Sequence, residues 1–314
     1  MVESSELTAT LVQVATLYYE ENKSQQEIAD QLGVSRSLIA LYLKRARELN
    51  IVRIEIVNPQ DQCEDLALAL QERGILRSVH VIPNPSAEEL VLRSLGGSVA
   101  RFLESRLQDG DLIGLGWGRS IMEAVGLVAP SRPRRIEVVP LLGESSFTGS
   151  YSQMNQIVMQ MARAFSGTPY FLLAPLMVGT KELRDALLAD EVAKSVADRW
   201  QRLDIAVVGI GALPPVQGQI IYLGEGNVGQ YMTLGAVGDM VARHFRLDGT
   251  LVRTPLDDRI LGPSLDQLRR VKTVIAVAGG VDKTRAVIGA LRTKLITDLF
   301  LDQGLAQSVL DELQ

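Results

Sequence analysis

The sequence predicts an α/β protein in two parts, a short all-helical N-terminal segment followed by a larger, mainly parallel sheet covered by helices. Three observations carry that expectation. Apolar residues recur at helical spacing through Arg47, short apolar runs alternate with longer amphipathic stretches from Val79 onward, and a polar cluster from Asn58 to Asp61 separates the two textures. Pro59 disfavours helix at Asn58, so the boundary falls between residues 1–58 and 59–314. With 314 residues, 46% of them apolar, the chain exceeds one typical domain and can bury a sizeable core.

Leu7, Leu11, Val14 and Tyr18 recur at spacings that mark a first amphipathic helix. From Gln25 the pattern predicts a helix, a tight turn and a second helix. Ile28, Ala29 and Leu32 share one face, Gly33 supplies the backbone freedom of the turn, and Val34, Ile39, Leu43 and Ala46 continue the apolar face beyond it. Ser35 stands where an N-cap belongs. If Ile39 and Leu43 point inward, Ser37, Ala40, Leu41 and Lys44 point outward, with Arg36, Arg45 and Arg47 on the shoulders. Small and polar side chains flanked by cations suit the major groove of double-stranded DNA, and Ser35 with these seven residues forms the candidate DNA-facing set.

The same spacing also fits an ordinary helical hairpin with a solvated basic face. Charge favours DNA: Ser35 to Arg47 contains four basic residues and no acidic one. Residues 1–58 nevertheless carry six Lys/Arg against eight Asp/Glu, so the expected non-specific affinity is modest and binding depends on dimerisation and register. Asn50 can end the second helix. Ile51 to Val57 alternates like a strand, either a small wing or a plain connector, and Gln62 to Arg73 reads as a helix that would bridge the two parts, with Leu66, Ala69 and Leu70 on one side.

Strands are expected at Val79–Ile82, Leu112–Leu115, Ile136–Val139, Tyr170–Leu173, Ile205–Val208 and Thr273–Val277, with Leu295–Thr297 a shorter candidate. Continuous apolar strands between helical stretches indicate a parallel sheet covered on both faces. Such sheets place ligands beyond the carboxyl ends of their strands. Gly114 to Ser120 runs from strand through three glycines (Gly114, Gly116, Gly118) into a helix start. A backbone without side chains can approach a phosphate there, with Arg119 adding a cationic fork and Ser120 a hydroxyl. It is neither a dinucleotide fingerprint nor a Walker sequence, and the glycines equally fit a tight strand-to-helix turn.

Leu142 to Ser146, Gly209 to Ala212, Gly235 to Asp239 and Gly279 to Lys283 add further glycine-rich or polar endings, which makes a shared binding mouth the expected arrangement. Lys283 fits a phosphate contact, and Asp239 and Glu144 fit sugar hydroxyls. Each has a plain alternative: Asp239 as a helix cap, Lys283 as a solvated first-turn cation, Glu144 as a loop charge.

Several function classes are disfavoured. A net charge of −5 argues against a broad nucleic-acid-coating role. No apolar run reaches bilayer length and the N-terminus lacks a secretory signal pattern, so a cytoplasmic protein without membrane contact is expected. Cys63 is the only cysteine and reads as a structural or surface thiol; His80 and His244 lack metal-ligand spacing, so neither a metal nor a cofactor is expected.

In order, the Gln25 to Arg36 segment, Gly116 to Ser120, Ala206 to Gly211, Gly235 to Asp239, and Val274 to Gly280 through Lys283 resemble the SorC family of bacterial sugar-responsive transcription regulators, over nearly the whole chain. The resemblance implies an N-terminal DNA-binding module and an effector domain similar in fold to sugar-phosphate isomerases and glucosamine-phosphate deaminases, assembled as a homodimer or homotetramer. It places an effector phosphate near Gly118, Arg119, Ser120 and Lys283, and the sugar near Gly143, Glu144, Ser145, Ser146 and Asp239, with Gly116, Gly279 and Gly280 as further effector-binding positions. Two positions depart from the family pattern: Arg119 replaces a hydroxyl, and Leu41 stands where an Arg is frequent.

The expected function is therefore transcription control on operator DNA by a sugar or sugar-phosphate effector, without catalysis. The alternative is a sugar-phosphate isomerase or deaminase with a helical appendage, in which Asp239 and Glu144 exchange protons.

Overall fold

The computed structural model describes residues 2–53, 63–73, 76–84, 88–144, 154–214 and 225–313. Two compact units emerge, Met1–Pro59 and Gln60–Gln314. The first holds α1 (Val2–Tyr19), α2 (Gln25–Leu32) and α3 (Arg36–Glu48). Val14, Leu17, Ile28, Ala29, Ile39 and Leu43 form one buried cluster, with Leu32 and Val34 packed against it. A second cluster joins Leu11, Ala15 and Ala46.

Helix starts and stops in this unit have local causes. Ser24 and Glu27 form a reciprocal capping box on α2: the Ser24 hydroxyl accepts from the Glu27 amide at 3.3 Å, and the Glu27 carboxylate accepts from the Ser24 amide at 2.8 Å. Gly33 closes α2 at φ 66°, and Ser35 caps α3 by accepting from the Leu38 amide at 3.2 Å. Beyond α3, Asn50 turns left-handed at φ 56° and the amides of Ile51 and Val52 fold back on the Ala46 carbonyl. Ile51–Arg53 therefore is not strand; the rest of the expected 51–57 strand lies outside the described residues.

The second unit is built on a seven-stranded, all-parallel sheet. Its strands are β1 (Ser78–Ile82), β2 (Leu112–Leu115), β3 (Glu137–Pro140), β4 (Thr168–Pro169), β5 (Ile205–Gly209), β9 (Thr273–Ala278) and β10 (Asp298–Asp302), in the order β1-β10-β9-β5-β2-β3-β4. Between β5 and β9 the chain builds a small antiparallel sheet of β6 (Gly211–Ala212), β7 (Ala236–Met240) and β8 (Arg243–Arg246).

Helices among the described residues are α4 (Glu64–Arg73), α5 (Glu88–Arg106), α6 (Arg119–Leu127), α7 (Met154–Phe165), α8 (Lys181–Ala189), α9 (Glu191–Arg199), α10 (Glu225–Thr233), α11 (Leu265–Leu268), α12 (Thr284–Arg292) and α13 (Gln303–Glu312). Leu70 of α4 is buried in the large core beside the sheet.

Alternation along the strands sorts the core into two layers. Ile113, Leu115, Val138, Ile205, Val207, Ile275 and Val277 pack with α5, α6 and α7. Their neighbours Leu112, Val139, Ala206, Val208, Val274 and Ala276 pack with α9, α12, α13 and the small sheet. From β2 the chain steps outward through β3 to β4, returns to β5 beside β2, then steps the other way through β9 and β10. The winding reverses between β2 and β5, which is where open α/β sheets leave a crevice.

Two strand expectations and two loop readings need correction. The strand read at Tyr170–Leu173 is instead β4, two residues upstream, because the Asn155 side chain takes both the amide (3.1 Å) and the carbonyl (3.2 Å) of Leu172. The candidate at Leu295–Thr297 precedes the true strand β10; Lys294 is left-handed at φ 58°, and the Thr297 hydroxyl accepts from the Val274 amide at 2.8 Å in place of a ladder bond. Gly235 to Asp239, read as a loop, is mostly β7, and Gly211–Ala212 is β6.

At the opposite end of the sheet from the carboxyl termini, Asp298 begins β10 almost fully buried. It accepts from Ser78 Oγ at 2.7 Å, Thr297 Oγ1 at 2.7 Å and Arg77 Nε at 3.3 Å, and also pairs with Arg77 Nη2. Burial alone pushes this carboxyl up, but the bonds from Arg77, Thr297 and Ser78 outweigh it and hold the group below its ordinary range. A carboxyl held low in the fold contributes stability that is fully present above the unfolded value near pH ~4 and is lost as pH falls through the folded value. Asp298→Asn is therefore expected to destabilise the protein by about 3 kcal/mol at pH 7 and to flatten the acid limb of its stability profile, read by urea unfolding between pH 3 and 7.

Candidate functional sites

The N-terminal unit presents one outward face on α3. Ser35, Arg36, Ser37, Ala40, Leu41, Lys44, Arg45 and Arg47 are all exposed, while Ile39, Leu43 and Ala46 are buried. Lys44 Nζ lies 3.8 Å from the Glu48 carboxylate, an anion just beyond the basic stretch. The other two functional features of this unit are the caps at Ser24 and Ser35, which set where the helices start. The first was readable from Ser-x-x-Glu but was not used.

In the second unit, polar groups gather at the carboxyl edge of the sheet. After β2, the Gly116 amide donates to Val207 O at 2.8 Å and its α-carbon sits so near β5 that an added Cβ would lie 3.1 Å from that oxygen. Gly118 follows at φ 136°, ψ 152°, a conformation that L side chains rarely adopt, with open space where a side chain would be. It is the N-cap of α6 and offers no side chain to the helix amides. The first turn therefore has no side-chain cap at its amides, beside exposed Arg119 and half-buried Ser120.

After β9, Gly279 and Gly280 lead into a 3-10 turn, Val281–Lys283, that feeds α12. The Gly280 amide donates to Asp302 Oδ2 at 2.7 Å, while Asp302 Oδ1 accepts from the Leu305 amide at 3.1 Å and caps α13. Asp302 thus ties the ends of two neighbouring strands together. It was missed in the sequence because the strand before it was read three residues early.

Lys283 is the electrostatic centre of this edge. Burial pushes its ammonium below the ordinary lysine range; Asp282 opposes that push, Arg119 adds to it, and Asp239 and Asp302 oppose it. Residues from four separate segments thus act on one cation.

Asp239 reaches this edge from β7, where it is buried. Its Oδ2 accepts from the Ala242 amide at 3.1 Å, bracing a two-residue turn in which Val241 and Ala242 both take positive φ, 53° and 57°. Such a backbone is costly for non-glycine residues. Glu144 is differently committed: Oε2 accepts from Met154 N at 3.1 Å and Oε1 from Asn155 N at 2.9 Å, so the carboxylate caps α7. The helix-cap role considered for Asp239 belongs to Glu144. Gly143 packs against the chain at Ala174 and Pro175, leaving no room for a Cβ. Ser145 and Ser146 lie outside the described residues.

Among the described residues no group of three or more His, Cys, Asp or Glu is arranged to hold a metal, and no helix is long and apolar enough to cross a membrane. His244 is buried beneath Tyr231, ring centroids 3.8 Å apart, and burial drives its pKa down to about 3.

Comparison with known proteins fits this arrangement. Residues 58–311 match the family model described as "Putative sugar-binding domain", and residues 6–49 match that for "Sigma-70, region 4". The crystal structure of the full-length sorbitol operon regulator SorC from Klebsiella pneumoniae is similar over 98% of this chain and 99% of that one, with 27% identity and a TM-score of 0.75. The chain belongs to the SorC family. It is also similar to the deoxyribonucleoside regulator of Bacillus subtilis (strain 168), 27% identical over 96% of this chain and 97% of that protein. A third relative, the transcriptional regulator YjhU of Escherichia coli (strain K12), is 31% identical over 94% of this chain and 92% of its own length. This SorC-family chain is a DNA-binding transcriptional regulator, with a helix-turn-helix region and a parallel-sheet sugar-binding domain.

Gly118→Val should cost about 1 to 3 kcal/mol of stability, because the conformation there is strained for any side chain even though the space is open. Denaturant unfolding of the variant beside Gly126→Ala, in an ordinary helical setting, would separate backbone strain from crowding.

Proposed function

We propose that this SorC-family regulator responds to a phosphorylated sugar bound at the carboxyl edge of the sheet, and that binding changes how paired subunits engage operator DNA. The observation that carries this reading is that Arg119 at the uncapped N-terminus of α6, after β2, and Lys283, after β9, both stand at carboxyl ends of strands of one parallel sheet, with the charges of Arg119, Asp239 and Asp302 acting on that lysine. Two cations and helix amides without a side-chain cap suit a phosphate; carboxylates nearby suit sugar hydroxyls. Gly116, Gly118, Arg119, Ser120, Gly279, Gly280 and Lys283 make the phosphate side of the site. Asp239 makes the sugar side, and the Gly143 to Ser146 segment borders it.

The protein acts without catalysis in this reading. Both oxygens of Glu144 are held by α7 amides and Asp239 braces its own turn, so neither carboxylate stands as a free proton carrier. On the N-terminal unit, Ser35, Arg36, Ser37, Ala40, Leu41, Lys44, Arg45 and Arg47 face the DNA. A homodimer or homotetramer pairs two such helices with two half-sites, and the effector selects among arrangements of the pair by binding them unequally.

The test is a thermal-shift and DNA-binding series on the full chain with ribose 5-phosphate, glucosamine 6-phosphate and the parent sugars. A phosphorylated ligand should stabilise the protein, by about 2.7 kcal/mol at a hundredfold excess over Kd, and should change DNA affinity or oligomeric state. Lys283→Met should abolish that shift while leaving DNA binding by the ligand-free protein intact. No response to any phosphorylated sugar, or turnover of one, would overturn the proposal. Because burial lowers the Lys283 pKa, phosphate affinity should also fall with rising pH earlier than an ordinary lysine would allow, as seen in titrations from pH 7 to 10.

Lys44→Ala should weaken DNA binding on all sequences alike and reduce the slope of log affinity against log salt, by up to about 1. Filter-binding or anisotropy titrations across salt concentrations check this; an unchanged slope rejects the phosphate contact.

A further inference from the structure

We propose that Leu41 is a specificity-determining residue of the DNA-binding face, reading the C5-methyl group of a thymine in the major groove. The inference rests on the DNA-binding reading of α3 given above and adds to it a base.

Leu41 is 54% exposed, although it lies in the middle of a helix whose Ile39 and Leu43 are buried and whose Leu38 and Tyr42 are half-buried. At about 100° per residue, it sits within roughly 15° of the direction opposite the buried face, so it points straight outward, with Glu48 two turns further along the same stripe. Its stripe neighbours are Ser37 four residues before, Ala40 beside it and Lys44 three residues after. The first two are short, so they neither cover Leu41 nor keep the helix from sinking toward a groove floor.

The donor inventory of this face narrows what it can read. On the outward stripe the exposed side chains are Ser37, Ala40, Leu41 and Lys44, with Arg36, Arg45 and Arg47 on its shoulders, so the stripe around Leu41 itself lacks the Asn, Gln or Arg that fork onto purine edges. Lys44 already has Glu48 as a counter-ion. An isobutyl side chain placed against a polar base edge strips water from groups it cannot bond, whereas thymine alone among the natural bases offers a methyl group in the major groove. Leu41 therefore favours thymine over cytosine by the methyl contact, and over purines by avoiding that desolvation. Ala40 lies close enough along the helix to flank the same methyl group.

Atomic substitution in the DNA tests this. The full-length protein first enriches sites from a random duplex pool, and the enriched duplex is resynthesised with each dT replaced in turn by deoxyuridine, which removes one methyl group and nothing else. At one position per half-site, deoxyuridine should weaken wild-type binding about fourfold, the effect expected for one buried methyl-sized group. Leu41→Ala protein should bind the two duplexes equally, and its own enriched pool should lose the thymine preference there. Thermal unfolding of Leu41→Ala should match wild type, since the side chain is exposed.

Equal methyl sensitivity in wild type and Leu41→Ala, or none in either, overturns the proposal. So does a Leu41→Ala protein that keeps the base preference but changes oligomeric state, which would make Leu41 a contact between copies of the chain. If wild type enriches no duplex at all, the DNA-binding reading itself has failed, a result distinct from the others.

Discussion

Burial of the parallel sheet on both faces is the constraint from which the rest of the larger unit follows. Ile113 and Leu112, Val207 and Ala206, and Val277 and Ala276 point alternately into two apolar layers, so the body of the sheet has no place for a charge or for water. Chemistry is pushed to the strand ends. At one end the only deeply buried carboxylate of β10's start, Asp298, is neutralised by Arg77 and two hydroxyls. At the other, Arg119 follows β2, Lys283 follows β9 and Asp302 ends β10, and the charges of Arg119, Asp239 and Asp302 act on Lys283. The same alternating rule that makes the strands featureless concentrates every candidate ligand contact along one edge.

That concentration explains which parts of the structure were legible in the sequence. Strands β1, β2, β3, β5 and β9 announced themselves as unbroken apolar runs, and the glycine endings after β2 and β9 stood out against them. Elements whose backbone bonds go to side chains did not. Asn155 takes over the backbone of Leu172, and Thr297 that of Val274; neither exchange leaves a local pattern, because each partner is more than fifteen residues away. The antiparallel β6-β7-β8 sheet was hidden for another reason. Its turn uses Val241 and Ala242 in a conformation that normally advertises itself with Asn or Gly.

Side-chain roles were harder still. Sequence places Glu144 and Asp239 equally well beside a ligand or at a helix start, since a carboxylate near a glycine looks the same in both cases. Structure separates them by what their oxygens already bind: Glu144 is spent on the first amides of α7, whereas Asp239 holds a turn and also acts on Lys283. Asp302, unremarked in the sequence, bonds the Gly280 amide and caps α13 at once. A residue that joins two strand ends is set by tertiary distance, which no spacing within the chain encodes. The helix-turn-helix unit lies at the other extreme, because Ser24, Gly33, Ser35 and Asn50 fix its helix limits through bonds within a few residues.

The pair between Lys44 and Glu48 bears on how an acidic module can bind an acidic polymer. With a carboxylate of its own 3.8 Å away, Lys44 would, in the proposed complex, reach a phosphate by exchanging one anion for another. In that complex added salt would loosen both attachments, so part of the electrostatic gain would cancel and random DNA would be held only loosely. Weak attachment to the wrong sequence is then built into the helix itself, and residence on the right one depends on how closely the groove accommodates its short outward side chains.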